Sequence, residues 1–325
     1  MISGAIVTLM HPLIGIPLFL NAVHGASHAA RASGYDKAIV ALQSDYALSS
    51  DEYPCEIVVW VHGFTNGFGV AAPRVANAEA YYRKLSKGTG KFYGFIWKSD
   101  PFDSNAEQVL DFFGVLKVDI PGLDGLGETQ FNAGEMAADI SADGLANFIY
   151  MLSQAAPRAR ITLIAHSLGC RVTLQALKLL RIRGVTLNTA TLIEAAVDHD
   201  ILATGKEFAI APTAVQMMYV VHSRHDEVLA GMTGYFGQSF FGYKGSLLGS
   251  TALGVYGPYP SVAANNVRCI DMSGAWSTKP VVPGEPGATI HSSVYFKNYN
   301  DLFFSSILPR ILNAEDFGLC DYSGG

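Results

Sequence analysis

The chain has 325 residues, 50% of them hydrophobic and 15% charged, enough to bury a large core as one big domain or two ordinary ones. A net charge of −6, a pI near 5.8 and the lack of any lysine or arginine run remove the field that gathers nucleic acid, so no nucleic-acid partner is expected. Cys55, Cys170, Cys269 and Cys320 are widely spaced with no CxxC pair, which argues against a zinc ribbon or a redox dithiol. Four reduced, mostly buried thiols are expected, since a Cys269–Cys320 bridge requires an oxidising compartment.

The first thirty residues hold no Asp, Glu, Lys or Arg, and "HPLIGIPLFLNAV" (11–23) is as apolar as a signal or anchor segment. A signal peptide opens with positive charge, yet the first here is Arg31, and a spanning helix would have to absorb Pro12, Gly15, Pro17 and Asn21. Residues 1–30 are therefore read as an ordered arm, packed on the domain, on a second copy of the chain or against a membrane surface, with an anchor or signal segment as the alternative. Location is left open, with the cytoplasm favoured over secretion or membrane association.

From residue 31 to 325, short β-branched runs alternate with helical patterns, the signature of an α/β domain with a mostly parallel sheet covered on both faces. "EIVVWVHGF" (56–64) predicts a buried strand. Val75, Ala78, Tyr82 and Leu85 predict a helix over 74–85, and "KFYGFIW" (91–97) the next strand. Periodicity fails over 98–134, read as a loop-rich insertion, and returns as a helix over 135–153 with Ala138, Ile140, Leu145, Phe148, Ile149 and Leu152 as its apolar stripe. Strands are then predicted at 160–165, 189–197, 215–223 and 267–272, a helix at 168–181, and a closing helix over 298–312 that Pro309 kinks or ends. A second insertion, 231–260, is rich in glycine and aromatics. Phe236, Phe240 and Phe241 within it are candidate walls of an apolar acyl pocket, or simply core.

The strand "RITLIA" running through His166 and Ser167 into the helix "LGCRVTLQALKLLR" carries the chemistry. A strand-to-helix turn this tight strains the residue at its apex and needs small residues two positions to either side, here Ala165 and Gly169. The pattern is a G-x-S-x-G nucleophile elbow with alanine in the first glycine position, and it offers Ser167 Oγ above the sheet. A serine hydroxyl attacks only with a base to take its proton, and on this architecture acid and base follow in the order Ser, Asp or Glu, His. Of nine histidines, His291 alone follows the last strand. The acid is Asp226 in "HSRHDEVL" or, one strand earlier, Asp198 in "AAVDHD"; the later loop is the usual place. A metal site at His222, His225 and Asp226 lacks a further ligand, so neither metal nor organic cofactor is expected. The oxyanion donors expected are the amides of Leu168 and Phe64, with His62 bracing the loop that holds Phe64.

In order, "VVWVHGFTNGF", "FIWKSD", "ITLIAHSLGCRV", "LIEAAVDHDIL", "VVHSRHDEVL" and "IHSSVYF" resemble a bacterial alpha/beta-hydrolase family long catalogued as a domain of unknown function and described as serine-esterase-like. The resemblance spans residues 57 to 297. It implies an alpha/beta-hydrolase fold and a Ser167, Asp226, His291 triad, with Asp198 matching an acid of unsettled role. The 98–134 insertion and the uncharged arm depart from that family, so no substrate carries over. The expected activity is cleavage of an apolar carboxylic ester through an acyl-enzyme on Ser167. An acyltransferase or cyclase using the same residues, or a non-catalytic binding module, is the alternative.

Overall fold

The structure is a computed structural model that describes residues 6–10, 17–21, 56–64, 68–97, 99, 126–229, 252–259, 264–278, 280 and 289–318. Eight strands form one sheet: β1 (Ile6–Met10), β2 (Pro17–Asn21), β3 (Glu56–Val61), β4 (Lys91–Phe95), β5 (Arg160–His166), β6 (Leu187–Ile193), β7 (Val215–His222) and β8 (Val267–Asp271). Their spatial order is β2-β1-β4-β3-β5-β6-β7-β8. All neighbours from β1 to β8 run parallel, and β2 alone is antiparallel, on β1.

Parallel strands buried on both faces need apolar residues at every position, which is why β3 reads as a continuous run rather than an alternation. Its odd positions, Ile57, Val59 and Val61, enter one core with helix α2 (Leu126–Ala155) and helix α3 (Gly169–Ile182). Val58 and Trp60 enter the opposite core with helix α1 (Phe68–Lys84) and the C-terminal segment from Phe303 to Leu312. The expected α/β architecture, a parallel sheet between helical layers, is the one observed.

Helix α2 starts at Leu126, inside the stretch expected to be loop, because "LGETQFNAG" carries two glycines and no apolar stripe. Ile140, expected on the buried stripe, is exposed. It lies two residues, about 200° of helical rotation, from the buried Ala138. Strand β6 ends at Ile193, four residues before the predicted end, because Glu194 turns into the left-handed region at φ 45°. In the C-terminal segment the Leu308 amide donates to the carbonyl of Phe303, a wide turn directly ahead of Pro309, whose ring supplies no amide proton.

Cys269 is disulfide-bonded, in contrast to the expected four reduced thiols, while Cys170 is free and buried. The partner of Cys269 lies outside the described residues, as do Phe236, Phe240 and Phe241. Among the described residues no helix is long and apolar enough to cross a membrane.

Candidate active site

Because seven neighbouring strands run the same way, their carboxyl ends lie along one edge of the sheet, and β3, β5, β6 and β7 each deliver a polar group there. Between β5 and α3, Ser167 sits at φ 55°, a conformation that costs a non-glycine residue about 1–2 kcal/mol and persists only where its surroundings enforce it. The enforcement is visible. Ser167 donates its amide to Ile193 O at 2.9 Å and accepts from the Ala196 amide at 3.2 Å. At Gly169 a Cβ would collide with the carbonyl oxygen of His62, so only glycine lets α3 start this close to β3.

Ser167 Oγ lies 2.8 Å from His291 Nε2, and His291 Nδ1 lies 2.6 Å from Asp226 Oδ2. With a carboxylate on Nδ1, that nitrogen is the donor, which leaves Nε2 as the acceptor for the serine hydroxyl. All three residues are buried. Asp226 is locked from below, its Oδ1 accepting from the amides of Val228 at 3.1 Å and Leu229 at 3.0 Å. His291 rides on a helical turn, Ile290–Tyr295, closed by a capping box in which Thr289 and Ser292 exchange side-chain-to-backbone hydrogen bonds. The turn is tied to the Asp226 loop through the Ile290 amide, which reaches Glu227 at 3.2 Å.

Two further histidines brace the site. His166 Nε2 donates to the carbonyl oxygen of His291 at 2.6 Å, so the residue before the serine holds the backbone of the histidine that faces it. Burial pushes the His166 imidazole well below its ordinary range, with the nearby His291 acting in the same direction. His62 donates from Nδ1 to Gly63 O at 2.8 Å and accepts the Trp97 amide on Nε2 at 3.1 Å, while Trp97 Nε1 returns a bond to His62 O at 2.8 Å. Burial lowers the His62 pKa to about 4, so it stays neutral in this clamp.

That clamp fixes the loop after β3. A Cβ on Gly63 would lie 2.8 Å from the Ser167 Cβ, so this loop runs against the serine, with Phe64 next in line and its ring beside Gly134 of α2. Leu168, buried at the start of α3, follows the serine directly. The two residues expected to supply oxyanion donors thus flank Ser167.

Asp198 lies elsewhere on this edge. It bridges to Ala252, and its charge bears on Glu135 and Lys206. Arg171 there contacts Asp139 at 2.9 Å, Glu207 at 3.3 Å and Glu135 at 3.7 Å. Burial raises Glu135 to about 7 despite Arg171, helped by the neighbouring acids.

The acid that does stand beside His291 from the end of β6 is Glu194, fully buried, with an oxygen 3.6 Å from His166 Nε2. Burial holds Glu194 well above the usual carboxyl range, assisted by Asp226 and Glu227, so its contact with the neutral His166 is not an ion pair. Glu194 is absent from the sequence-based expectations because "LIEAAV" reads as uninterrupted strand. An acid inside such a run was the available signal. His166, Glu194 and His291 also form the one group of three potential metal-ligating side chains among the described residues, whereas His222, His225 and Asp226 do not converge.

A parallel sheet between helical layers, with a strained serine between a strand and a helix at its carboxyl edge, defines an alpha/beta hydrolase. The chain belongs to the family described as alpha/beta hydrolase of unknown function (DUF900), whose model matches residues 43–237 and so takes in Ser167, Glu194 and Asp226. Among solved structures, it is similar to a hormone-sensitive lipase from a metagenome library at 11% identity and TM-score 0.44, covering 97% of this chain and 87% of that one. It is also similar to EstE7, a hormone-sensitive-lipase homologue from a metagenome library, at 12% identity and TM-score 0.43 over 96% and 87%. The esterase of Pyrobaculum calidifontis follows at 10% identity and TM-score 0.38, over 86% and 91%. No curated protein sequence matches the chain.

Proposed function

We propose that this hydrolase cleaves carboxylic esters through an acyl-enzyme on Ser167. The observation that carries the reading is the unbroken hydrogen-bonded chain from Ser167 Oγ through His291 to Asp226, set at a strained elbow. In such a chain His291 Nε2 takes the hydroxyl proton as Oγ attacks the acyl carbon, then returns it to the leaving alkoxide; a water activated by the same nitrogen releases the acid. Asp226 keeps the proton on Nδ1 and stabilises the imidazolium formed in each half-reaction. The amides of Leu168 and Phe64 are the donors proposed for the oxyanion, the first because it follows the nucleophile and the second because its loop abuts it. The substrate proposed is a small, apolar ester.

Turnover of p-nitrophenyl acetate, butyrate and octanoate tests this, with pre-steady-state mixing to separate acylation from deacylation. Steady release after any burst, abolished in Ser167→Ala, supports hydrolysis. One equivalent released with no further turnover until an alcohol or amine is added would instead make the chain an acyltransferase.

A further inference from the structure

Two carboxyls approach His291, one from the end of β6 and one from the end of β7, and the proposed reaction uses only the second. Glu194 is 0% exposed, neither of its carboxyl oxygens has a hydrogen-bond partner among the described residues, and its backbone is held at φ 45°. Lost hydration, unmade hydrogen bonds and a strained backbone each cost stability. The hydrogen bond from its amide to Val221 O at 2.8 Å needs no carboxyl. What the carboxyl does have is position: one of its oxygens and one ring nitrogen from each of His166 and His291 lie within 4.8 Å of one another.

We propose that Glu194 is a second acid of the His291 base, forming with Asp226 a pair that shares one negative charge. This rests on the reading of His291 as the base of the reaction.

Two carboxylates in a water-excluded pocket do not both ionise, and the proton stays on the one with poorer support. Asp226 accepts three hydrogen bonds and Glu194 none, so Asp226 holds the charge and Glu194 the proton. The titratable groups around Glu194 are His166 at the end of β5, Cys170 on α3, Asp226 and Glu227 after β7, and His291 and Tyr295 on the last helical turn. Of these, Asp226 and Glu227 are the negative charges that oppose its ionisation. Without the charge on Asp226, Glu194 releases its proton at lower pH, and its carboxylate then faces the imidazolium. At an effective interior dielectric near 20, a charge about 5 Å away moves a ring pKa by about two units, or a factor of about 10². Glu194 acts through His291 and touches no substrate, which makes it a positioning residue.

The test uses the full chain carrying Asp226→Asn, Glu194→Gln or both, with kcat/KM for p-nitrophenyl butyrate followed from about pH 6 to about pH 10. Glu194→Gln alone, an exchange of one neutral group for another, is expected to cost a few-fold. Asp226→Asn is expected to regain roughly 30- to 100-fold as pH rises through the ionisation of Glu194, and the double variant to lack that recovery. A flat profile for Asp226→Asn, or equal recovery in the double variant, overturns the second-acid role while leaving the site intact. An Asp226→Asn chain as active as the native one would overturn the reading of the site and this inference with it. Should the double variant fail to fold by circular dichroism, the profile of Asp226→Asn alone decides, a flat one counting against the role.

Discussion

Strands β6 and β7 are neighbours in one parallel sheet, and each is followed within four residues by an acid near the same histidine, yet the fold treats the two acids in opposite ways. After β7 the chain wraps around Asp226, giving one oxygen two amides and the other the His291 ring. After β6 the chain twists Glu194 into a left-handed conformation and leaves both carboxyl oxygens without a hydrogen-bond partner among the described residues. Hydrogen bonds to a carboxylate favour its charge, and burial without them favours the proton. Two acids of the same charge type thus become a fixed anion and a neutral reserve, through burial and the partners that each strand end supplies.

The largest way to break that comparison is to remove what both acids serve. Ser167→Ala is expected to lower kcat by on the order of 10⁶ while leaving the thermal melt within a few degrees, because an elbow serine contributes chemistry more than packing. Next comes the anion: Asp226→Asn is expected to cost on the order of 10⁴ in kcat near neutral pH, since the amide favours the wrong tautomer of His291 and removes the charge opposite the imidazolium. Asp198→Asn, measured with the same ester, is expected to cost no more than a few-fold, because that side chain lies toward Glu135 and Lys206.

A smaller effect comes from the scaffold that both strand ends lean on. Gly169→Ala forces a methyl onto the His62 carbonyl, and the backbone shift is expected to cost about 1–3 kcal/mol by urea unfolding and about 10² in kcat. The smallest effect reads the neutral acid in stability rather than in rate. A carboxyl whose folded pKa lies above its ordinary value of 4.5 keeps a proton in the folded state that the unfolded chain has released. Stability contributed this way therefore falls as pH climbs from about 4.5 toward the raised folded value. Glu194→Gln is expected to flatten that part of the native stability profile, as measured by chemical unfolding at several pH values, and an unchanged slope would mean that Glu194 is ionised in the fold.

The contrast between the two strand ends also marks what could be read from the residues alone. Ser167 was legible because the small residues flanking it, the strand before it and the helix after it all point to one turn. Asp226 and His291 followed from strand order, which a parallel sheet imposes on its carboxyl edge. Glu194 was hidden because its signature is a φ value, and an acid in an apolar run looks like strand until the chain turns. The alternative acid the residues offered one strand earlier, Asp198, lies four positions beyond Glu194 in the same run. The start of α2 was obscured for a related reason, since the glycines of "LGETQFNAG" argue against helix locally and the long helix that follows overrides them. The hydrogen bond of His166 to the His291 backbone joins residues 125 positions apart, beyond any local pattern.

The most direct test of the central claim is covalent. A fluorophosphonate phosphonylates a serine whose base is in place, with loss of fluoride, so treating the full chain with one equivalent and mapping the adduct by peptide mass spectrometry asks whether Ser167 is the nucleophile. The expected result is a single adduct on the peptide containing Ser167, formed in the native chain, slowed strongly in Asp226→Asn and absent in Ser167→Ala. Full labelling of Ser167→Ala, or no labelling of a folded native chain, would contradict the account.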